Sequence, residues 1–599
     1  MRKKLLLLAF VVATAIPVFA QRIVESTEEF VSYDRNSVSV ISTRYNDEYD
    51  NTVMNTVHGF SFGSKFDVNN IRTEYINVSQ SRTMPEGTVS SWGYSPDQAT
   101  INDVLSRLNN ANVGKEILSY ILNPDAQGRF NRDIINTRGQ WNASDKDYIE
   151  SKATQVDAMG QDGEQLIDNS YIIVFDMRNP VRNETKATDS KGKEYTIVTW
   201  SADMGAMVFE IADAEEVIND VISNMWITDR DDAATRAAKK SAFDNLKVNM
   251  RHVASVGVHS SGKELSNAVA NAKDQLMTKL EDQIESWQVT IDCETVHPYI
   301  TAKIGKKEGV KNAQRYGIYG QVYNSSKDRL EFKRKGYVRA TEVADNRRVA
   351  DGTSDSTYFY RISGNAELTG TEILKQRNDL MLGISFNYNY NGSNLEPTET
   401  RTFGSFSMID IGLDYLAYIH KNGCSHYIMV GLGFDNLNGD NLYKGQKQFG
   451  TYGMLLDPEG QPLFKNGASY VNINIGYMFG IKIKQYAEIQ PFLRGGIDMV
   501  SASTSIELDE AALRSIAYYE DYTIKNENDL KKSSSAYYID PGIRLSFNVI
   551  YPVQIYLQAN YSVLISGGDK YNIMNKYFID CGYGHSHGLG VGGGVRLML

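Results

Sequence analysis

The densest group of reactive side chains lies near the C-terminus, in the stretch Gly584-His585-Ser586-His587-Gly588. Its letters fit Gly-x-Ser-x-Gly, the sharp turn that exposes the nucleophilic serine of many hydrolases. That turn needs a strand before it, a helix after it, and acid and base partners further along the chain. Only 11 residues follow Gly588 and none of them is histidine. The sequence therefore argues against a hydrolase of this kind.

The same stretch also offers ligands for a transition metal. Cys581, His585 and His587 are close in sequence and have the soft and borderline donor atoms that zinc prefers. A structural zinc site takes four ligands, and these three residues have no clear fourth partner. We therefore expect no metal and no cofactor, and we interpret the segment as a loop.

Charged residues of both signs recur at alternate positions of several segments in the last two-fifths of the chain. They are Asp410, Asp414, Asp435, Lys482, Glu488, Arg494, Asp498, Asp540, Arg544 and Arg596. The residues between them in each segment are mostly apolar. Because successive side chains of a strand point to opposite faces, each segment predicts a strand with one apolar face and one polar face.

This alternation is longest in the segment from Val471 to Ile483, where every second residue is apolar. A strand that crosses a bilayer needs roughly 9–11 residues with this pattern, apolar toward lipid and polar toward the lumen. The pattern occurs eight times, and Tyr358–Ile362 leaves the strand count open by two. An eight-stranded barrel is filled by side chains, so we expect the charged residues to pair across the lumen.

The connections between these segments alternate in length. The links near Lys421–Ser425, Lys484–Tyr486 and Tyr551–Val553 are short, whereas those after Asn391, Asn436, Ser501 and Ser566 are long and polar. Short turns on one side and long loops on the other are typical of outer-membrane barrels, with the long loops outside the cell. On this pattern residues 379–599 resemble the small OmpA/OmpX-type barrels. The resemblance implies an eight-stranded antiparallel transmembrane β-barrel in a Gram-negative outer membrane.

Residues 1–20 have the features of a secretory signal peptide: a basic start, an apolar run and a small-residue cleavage site. The 37 tyrosines suit the aromatic girdles of such a barrel, and the net charge of −11 argues against nucleic-acid binding. The three cysteines, Cys293, Cys424 and Cys581, predict no disulfide framework. The expected topology leaves Cys293 with Cys424 as the one pair that is sterically open.

The region between leader and barrel predicts a multi-domain protein with an α+β periplasmic part. Apolar periodicity indicates helices over Ser95–Leu122 and Lys263–Trp287, the latter with a capping box at Ser261 and Glu264. It also indicates a buried strand at Tyr171–Phe175, and two strands on either side of a turn at Asp203–Gly205. We divide this region into a short β-rich segment (21–94), an α+β domain (95–290), a small β module (291–350) and a linker (351–378).

These features predict a non-enzymatic anchor that holds periplasmic domains at the outer membrane, for envelope organisation, adhesion or assembly with a secretion complex. We expect outer-membrane lipid and envelope proteins as partners. The basic cluster Lys327, Arg329, Lys333, Arg334, Lys335 and Arg339 suits either a solvated strand face or contact with anionic lipid headgroups.

Two alternatives remain open at this point. One is a barrel enzyme that modifies lipid A, in which His585 would be the base, Ser586 the nucleophile and Asp580 the orienting group. The other is a narrow channel, which conductance across a planar bilayer would detect. The sequence does not indicate the oligomeric state.

Overall fold

The strands of the computed structural model form three sheets, two in the N-terminal part of the chain and one closed on itself at the C-terminal end. The structure describes residues 26–27, 36–63, 65–84, 94–131, 135, 161–188, 192–324, 329–347, 355–391, 406–437, 468–502, 533–567 and 588–599. The predicted signal peptide and the four long connections of the predicted barrel lie outside these ranges.

The first sheet combines parallel and antiparallel strands. Its strands are β2 (Asn36–Arg44), β3 (Phe66–Asn69), β4 (Tyr75–Asn77), β5 (Ser170–Thr188), β6 (Glu194–Ile211) and β7 (Met250–Gly262). The order is β3-β2-β5-β6-β7, with β4 also beside β2. β2 runs parallel to β3, β4 and β5, whereas β5, β6 and β7 are antiparallel.

Helices cover both faces of this sheet. They are α1 (Asp50–His58), α2 (Gln98–Asn110), α3 (Val113–Leu122), α4 (Gln161–Asp168), α5 (Ala214–Asp220), α6 (Ala233–Asp244) and α7 (Leu265–Gln283). Ile172 and Val174 of β5 belong to the same core as α2 and α3, whereas Ile173 and Phe175 belong to the core on the α7 face. β5 is therefore buried on both faces here, as its apolar run predicts. No helix in the described ranges is long and apolar enough to cross a membrane.

Three predictions for this region are wrong in detail. The segment 21–94 is not a separate unit, because β2 lies in the sheet between β3 and β5 and has to be buried on both sides. Asp203–Gly205 is not a turn, because β6 continues through it and Gly205 is in register with Asp176 of β5. The cap of α7 is formed by Glu264 with Asn267.

The second sheet is built from strands on both sides of the predicted boundary at residue 350. They are β8 (Thr290–Asp292), β9 (Ile300–Ala302), β10 (Arg315–Asn324), β11 (Arg329–Ala340), β12 (Thr357–Ser363) and β13 (Ile373–Gln376). The order is β8-β13-β10-β11-β12-β9, and β1 (Ser26–Thr27) pairs with β11. The predicted linker 351–378 therefore carries two strands of this sheet. Tyr358–Ile362 lies within β12 and adds nothing to the barrel.

The third sheet is a closed barrel of eight antiparallel strands. They are β14 (Leu382–Asn391), β15 (Phe406–Ile419), β16 (Ser425–Leu437), β17 (Ala468–Ile483), β18 (Ala487–Ala502), β19 (Ser533–Ile550), β20 (Val553–Gly567) and β21 (Gly588–Met598). Each strand pairs with the next, and β21 closes the barrel on β14. Outward residues such as Ile475 and Leu557 are 63% and 62% exposed. The predicted fold class, an α+β region followed by an eight-stranded transmembrane barrel, is confirmed.

Two glycines in the first sheet make room for a crossing chain segment. Gly205 of β6 and Gly257 of β7 are in register, and the segment at Tyr94–Pro96 lies against both. A Cβ atom on Gly257 would be 1.8 Å from the carbonyl oxygen of Tyr94. This contact is with backbone, so neither side chain nor rotamer can relieve it.

We predict that Gly257→Ala destabilises the first sheet by about 1–3 kcal/mol, the usual range for overpacking a core. All five tryptophans of the chain, Trp92, Trp141, Trp200, Trp226 and Trp287, precede the barrel, so thermal unfolding followed by tryptophan fluorescence reports on the N-terminal part. Gly63→Ala is the matched control, since a Cβ there meets nothing within 4 Å. Equal midpoints for the two variants would contradict the prediction.

Candidate functional site

The charged residues predicted for the lumen lie on the inner face of the barrel wherever the structure describes their side chains. Asp410, Asp414, Glu488, Arg494, Asp498, Asp540, Arg544 and Arg596 are buried, and the side chain of Lys482 is 9% exposed. Asp435 is in register with Tyr470 of β17, but its side chain lies outside the described part of the structure. Alternation along the strands is sufficient to place this set, because it determines which face each residue occupies.

Asp414 is the centre of one group of bonds across the lumen. Its Oδ2 atom lies 2.9 Å from Nη1 of Arg544 and 3.1 Å from Nη1 of Arg596. The three residues come from β15, β19 and β21, so these contacts join strands that are not all neighbours. Arg544 also donates to Oε1 of Gln558, and Arg596 donates to Oε1 of Gln554. The two guanidinium groups are therefore held by one shared carboxylate and two amides.

Arg494 forms a second group toward the long-loop side. Its Nη2 atom lies 2.5 Å from Oδ2 of Asp540, and its Nη1 atom lies 3.6 Å from Oδ2 of Asp410. Asn560 donates to the other oxygen of Asp540. Asp498 accepts a hydrogen bond from Asn472.

A third group lies toward the short-turn end. Lys482 Nζ is 3.2 Å from Oε2 of Glu488, which also accepts hydrogen bonds from Tyr427 and Gln490. Ser546 donates to the amide oxygen of Gln490 and so joins β19 to this group. Ion pairs and hydrogen bonds with side-chain amides thus extend along much of the described lumen. They give the buried charges the partners that a low-dielectric interior requires.

The second sheet contacts the short-turn end of the barrel. Asn312 donates from Nδ2 to the carbonyl oxygen of Ile419 at 2.9 Å and accepts from the Ile419 amide at 2.9 Å. On other turns, Tyr360 donates to the carbonyl oxygen of Lys484, and Asn548 donates to the carbonyl oxygen of Ile362. The contacts therefore involve more than one short turn.

An apolar cluster and a buried ion pair complete this junction. Ala313 is packed in one core with barrel residues, and Tyr360 and Met381 pack against the same core; the barrel members are Leu416, Ile419, Tyr427, Met429, Met478 and Phe492. Arg339 of β11 is paired with Asp379, just before β14, and their side chains are only 3% and 1% exposed. We call this set of contacts the mouth junction.

The predicted basic cluster does not form one surface. Lys335 is paired with Glu372, and Arg339 with Asp379, so these two side chains serve the second sheet and the mouth junction. Arg334 lies over the ring of Tyr337. Lys333 is in register with Gly320. Lys327 and the side chain of Arg329 lie outside the described residues.

The predicted loop site cannot be placed, because Asp580, Cys581, His585, Ser586 and His587 all lie outside the described ranges. Cys293 and Cys424 are free thiols, so the sterically open pair is not joined. Burial raises the pKa of the Cys293 thiol to about 12. Within the described ranges, no three His, Cys, Asp or Glu side chains are grouped so that they could hold a metal.

Sequence reasoning missed the mouth junction. Asn312 and Ile419 are separated by 107 positions, and a single asparagine in a polar stretch carries no local signal for such a contact. The predicted basic cluster just before the barrel was the one indication of this junction, since it contains Arg339.

No protein-family model and no curated protein matches this chain. Among solved structures, it is similar to Ail, the attachment invasion locus protein of Yersinia pestis, at 12% identity and a TM-score of 0.21, covering 36% of this chain and 96% of Ail. Neisserial surface protein A is similar at 9% identity and a TM-score of 0.19, over 37% of this chain and 100% of that protein. A major outer membrane protein of Thermus thermophilus is similar at 9% identity and a TM-score of 0.19, covering 36% of this chain and 99% of that protein. The structure of this chain has the closed eight-stranded barrel that the sequence resemblance implied.

We predict that Asp414→Ala destabilises the barrel by about 3–5 kcal/mol, because it leaves two buried guanidinium groups without their carboxylate. Asp410→Ala is the matched comparison and should cost less, because Arg494 keeps its closer partner Asp540. Urea unfolding, followed by the change in gel mobility between folded and unfolded barrel, measures both. If Asp414→Ala lowers the free energy of unfolding no more than Asp410→Ala does, Asp414 is not the main partner of the two arginines.

Proposed function

We propose that this protein is an envelope protein of a Gram-negative outer membrane in which the barrel is a filled anchor and the N-terminal domains are the working part. The observation that carries the proposal is the mouth junction, which attaches the second sheet directly to the short-turn end of the barrel. If the barrel only tethered the N-terminal domains, the peptide chain between them would be sufficient and no further contacts would be needed. Buried contacts such as Arg339–Asp379 hold the N-terminal part in one position.

The lengths of the barrel connections support one orientation of the protein in the membrane. In outer-membrane barrels the short turns face the periplasm and the long loops face outward. The second sheet contacts Ile419, Lys484 and Asn548, all of which lie next to short turns. We therefore place the N-terminal domains in the periplasm, where partners would be other envelope or secretion-complex proteins.

A structural role for the lumen charges is supported by their pairing. Asp414 serves two arginines at once, and Glu488 accepts from three neighbours. An ion crossing the lumen would have to break several of these contacts in a low-dielectric interior, where an unpaired charge is costly. The lumen groups are also turned toward one another and away from the outer surface of the barrel, so the anchor role accounts for them better than a channel does.

We predict that protease treatment of intact cells releases peptides from residues 436–467 and 501–534 and none from residues 21–351. The reason is that the long loops would be outside the cell, whereas the N-terminal domains would be shielded by the membrane. Mass spectrometry identifies the peptides, and permeabilised cells are the control in which residues 21–351 should become accessible. If the protease releases peptides from residues 21–351 of intact cells, the topology is the reverse of the proposed one and the proposal is overturned.

A further inference from the structure

One arginine beside the mouth junction is held only by neutral groups. Arg315, the first residue of β10, donates from Nη1 to the hydroxyl of Tyr551 at 2.6 Å and from Nη2 to the carbonyl oxygen of Asn378 at 2.5 Å. Its Nε atom is buried and has no hydrogen-bond partner. Within the described ranges, no carboxylate forms an ion pair with it. A guanidinium group that is bonded only to neutral groups and has no counter-charge is suited to receive an anion.

Further positive charge surrounds this guanidinium group. Tyr337 and Tyr551 lie with ring centroids 4.7 Å apart, and Arg315 lies 5.7 and 5.4 Å from their centroids. Arg334 lies 4.8 Å from the centroid of Tyr337. Arg377, the residue after β13, lies next to Arg315, since its backbone amide donates to the carbonyl oxygen of Arg315. We call Arg315, Arg334, Arg377, Tyr337 and Tyr551 the arginine–tyrosine cluster.

The positive charges of Arg315, Arg334 and Arg377 all affect the hydroxyl group of Tyr337. Burial raises the pKa of the Tyr337 hydroxyl, and the positive charges of Arg334, Arg315 and Arg377 work in the opposite direction. All three charges are therefore close enough to Tyr337 to be felt there. Arg315, Arg334, Arg377 and Tyr551 are each partly exposed, so an anion can reach them from solvent.

The cluster lies close to the apolar outer surface of the barrel. Tyr551 is in the turn between β19 and β20, and the lipid-facing residues Phe547 and Ile555 are four positions away on either side. At roughly 3.3 Å per strand residue, the cluster is within about 13 Å of the apolar surface. Tyrosine and arginine side chains are typical of this interfacial layer.

We propose that the arginine–tyrosine cluster binds the phosphate of an anionic phospholipid in the membrane leaflet on the short-turn side. The lipid phosphate accepts hydrogen bonds from Arg315 and Arg334, and the tyrosine rings flank its glycerol. The bound lipid then holds the second sheet against the membrane surface in addition to the mouth junction. This inference rests on the proposed orientation, in which the short turns face the inner leaflet.

The test measures lipid retained by the purified full-length protein. The protein is reconstituted with phosphatidylglycerol or phosphatidylcholine, extracted in detergent, and analysed by native mass spectrometry. We expect retained phosphatidylglycerol in the wild type and at least about tenfold less in the double variant Arg315→Gln/Arg334→Gln, as for loss of two charge-assisted hydrogen bonds. The matched control Arg182→Gln/Arg347→Gln removes two exposed arginines elsewhere and should retain wild-type amounts.

Other outcomes overturn the inference. Equal retention by the wild type and the double variant excludes this site. Equal retention of phosphatidylcholine excludes selectivity for anionic lipid. Displacement of the lipid by millimolar inorganic phosphate shows a site for free anions instead.

Two further measurements keep the result interpretable. Arg315→Lys/Arg334→Lys keeps the charge and should recover part of the retention, which shows that loss in the Gln variant is not misfolding. Protease treatment of cells reports the orientation separately, so a correctly oriented protein that retains no phosphatidylglycerol overturns this inference and leaves the proposed function intact.

Discussion

A strand in a bilayer can present charge on only one of its two faces, and the rest of this structure depends on that constraint. The outward faces of β14–β21 are apolar, so polar and charged groups of the barrel wall are directed into a narrow lumen. In that interior a charge needs a partner. Asp414, shared between Arg544 and Arg596, shows the solution, in which one carboxylate joins three strands. The same contacts fill the space between these strands inside the barrel.

The short-turn end is where the barrel meets the N-terminal part of the chain. There the strands leave the membrane and their turns expose backbone groups that the second sheet can bind. Asn312 satisfies both the amide and the carbonyl group of Ile419, and Arg339 reaches the carboxylate of Asp379 just before the first barrel strand. The two sheets thus share an apolar core around Ala313. The N-terminal domains are fixed to the barrel by packing as well as by the chain.

The sequence was sufficient for features that are governed by periodicity. Alternation over segments such as 471–483 predicts the strand, its lipid face and the inward position of Asn472 and Lys482 without any knowledge of tertiary contacts. Features that depend on long-range contacts were missed. β2 reads as part of a separate β-rich segment because its partner β5 lies far along the chain, well beyond residue 94. β12 and β13 lie in a polar stretch, so the sequence predicts a linker there, with Tyr358–Ile362 as a possible additional barrel strand.

Crosslinking in cells tests whether the second sheet is attached to the barrel mouth. Gln485 in the turn between β17 and β18 donates to the side chain of Asn365, which follows β12. Cysteines at both positions, in a chain whose Cys424 and Cys581 are replaced by serine, should form a crosslink with a short thiol reagent and change gel mobility, whereas either cysteine alone should not. Absence of the crosslink in a folded, membrane-inserted protein would show that the N-terminal domains are not held at the mouth.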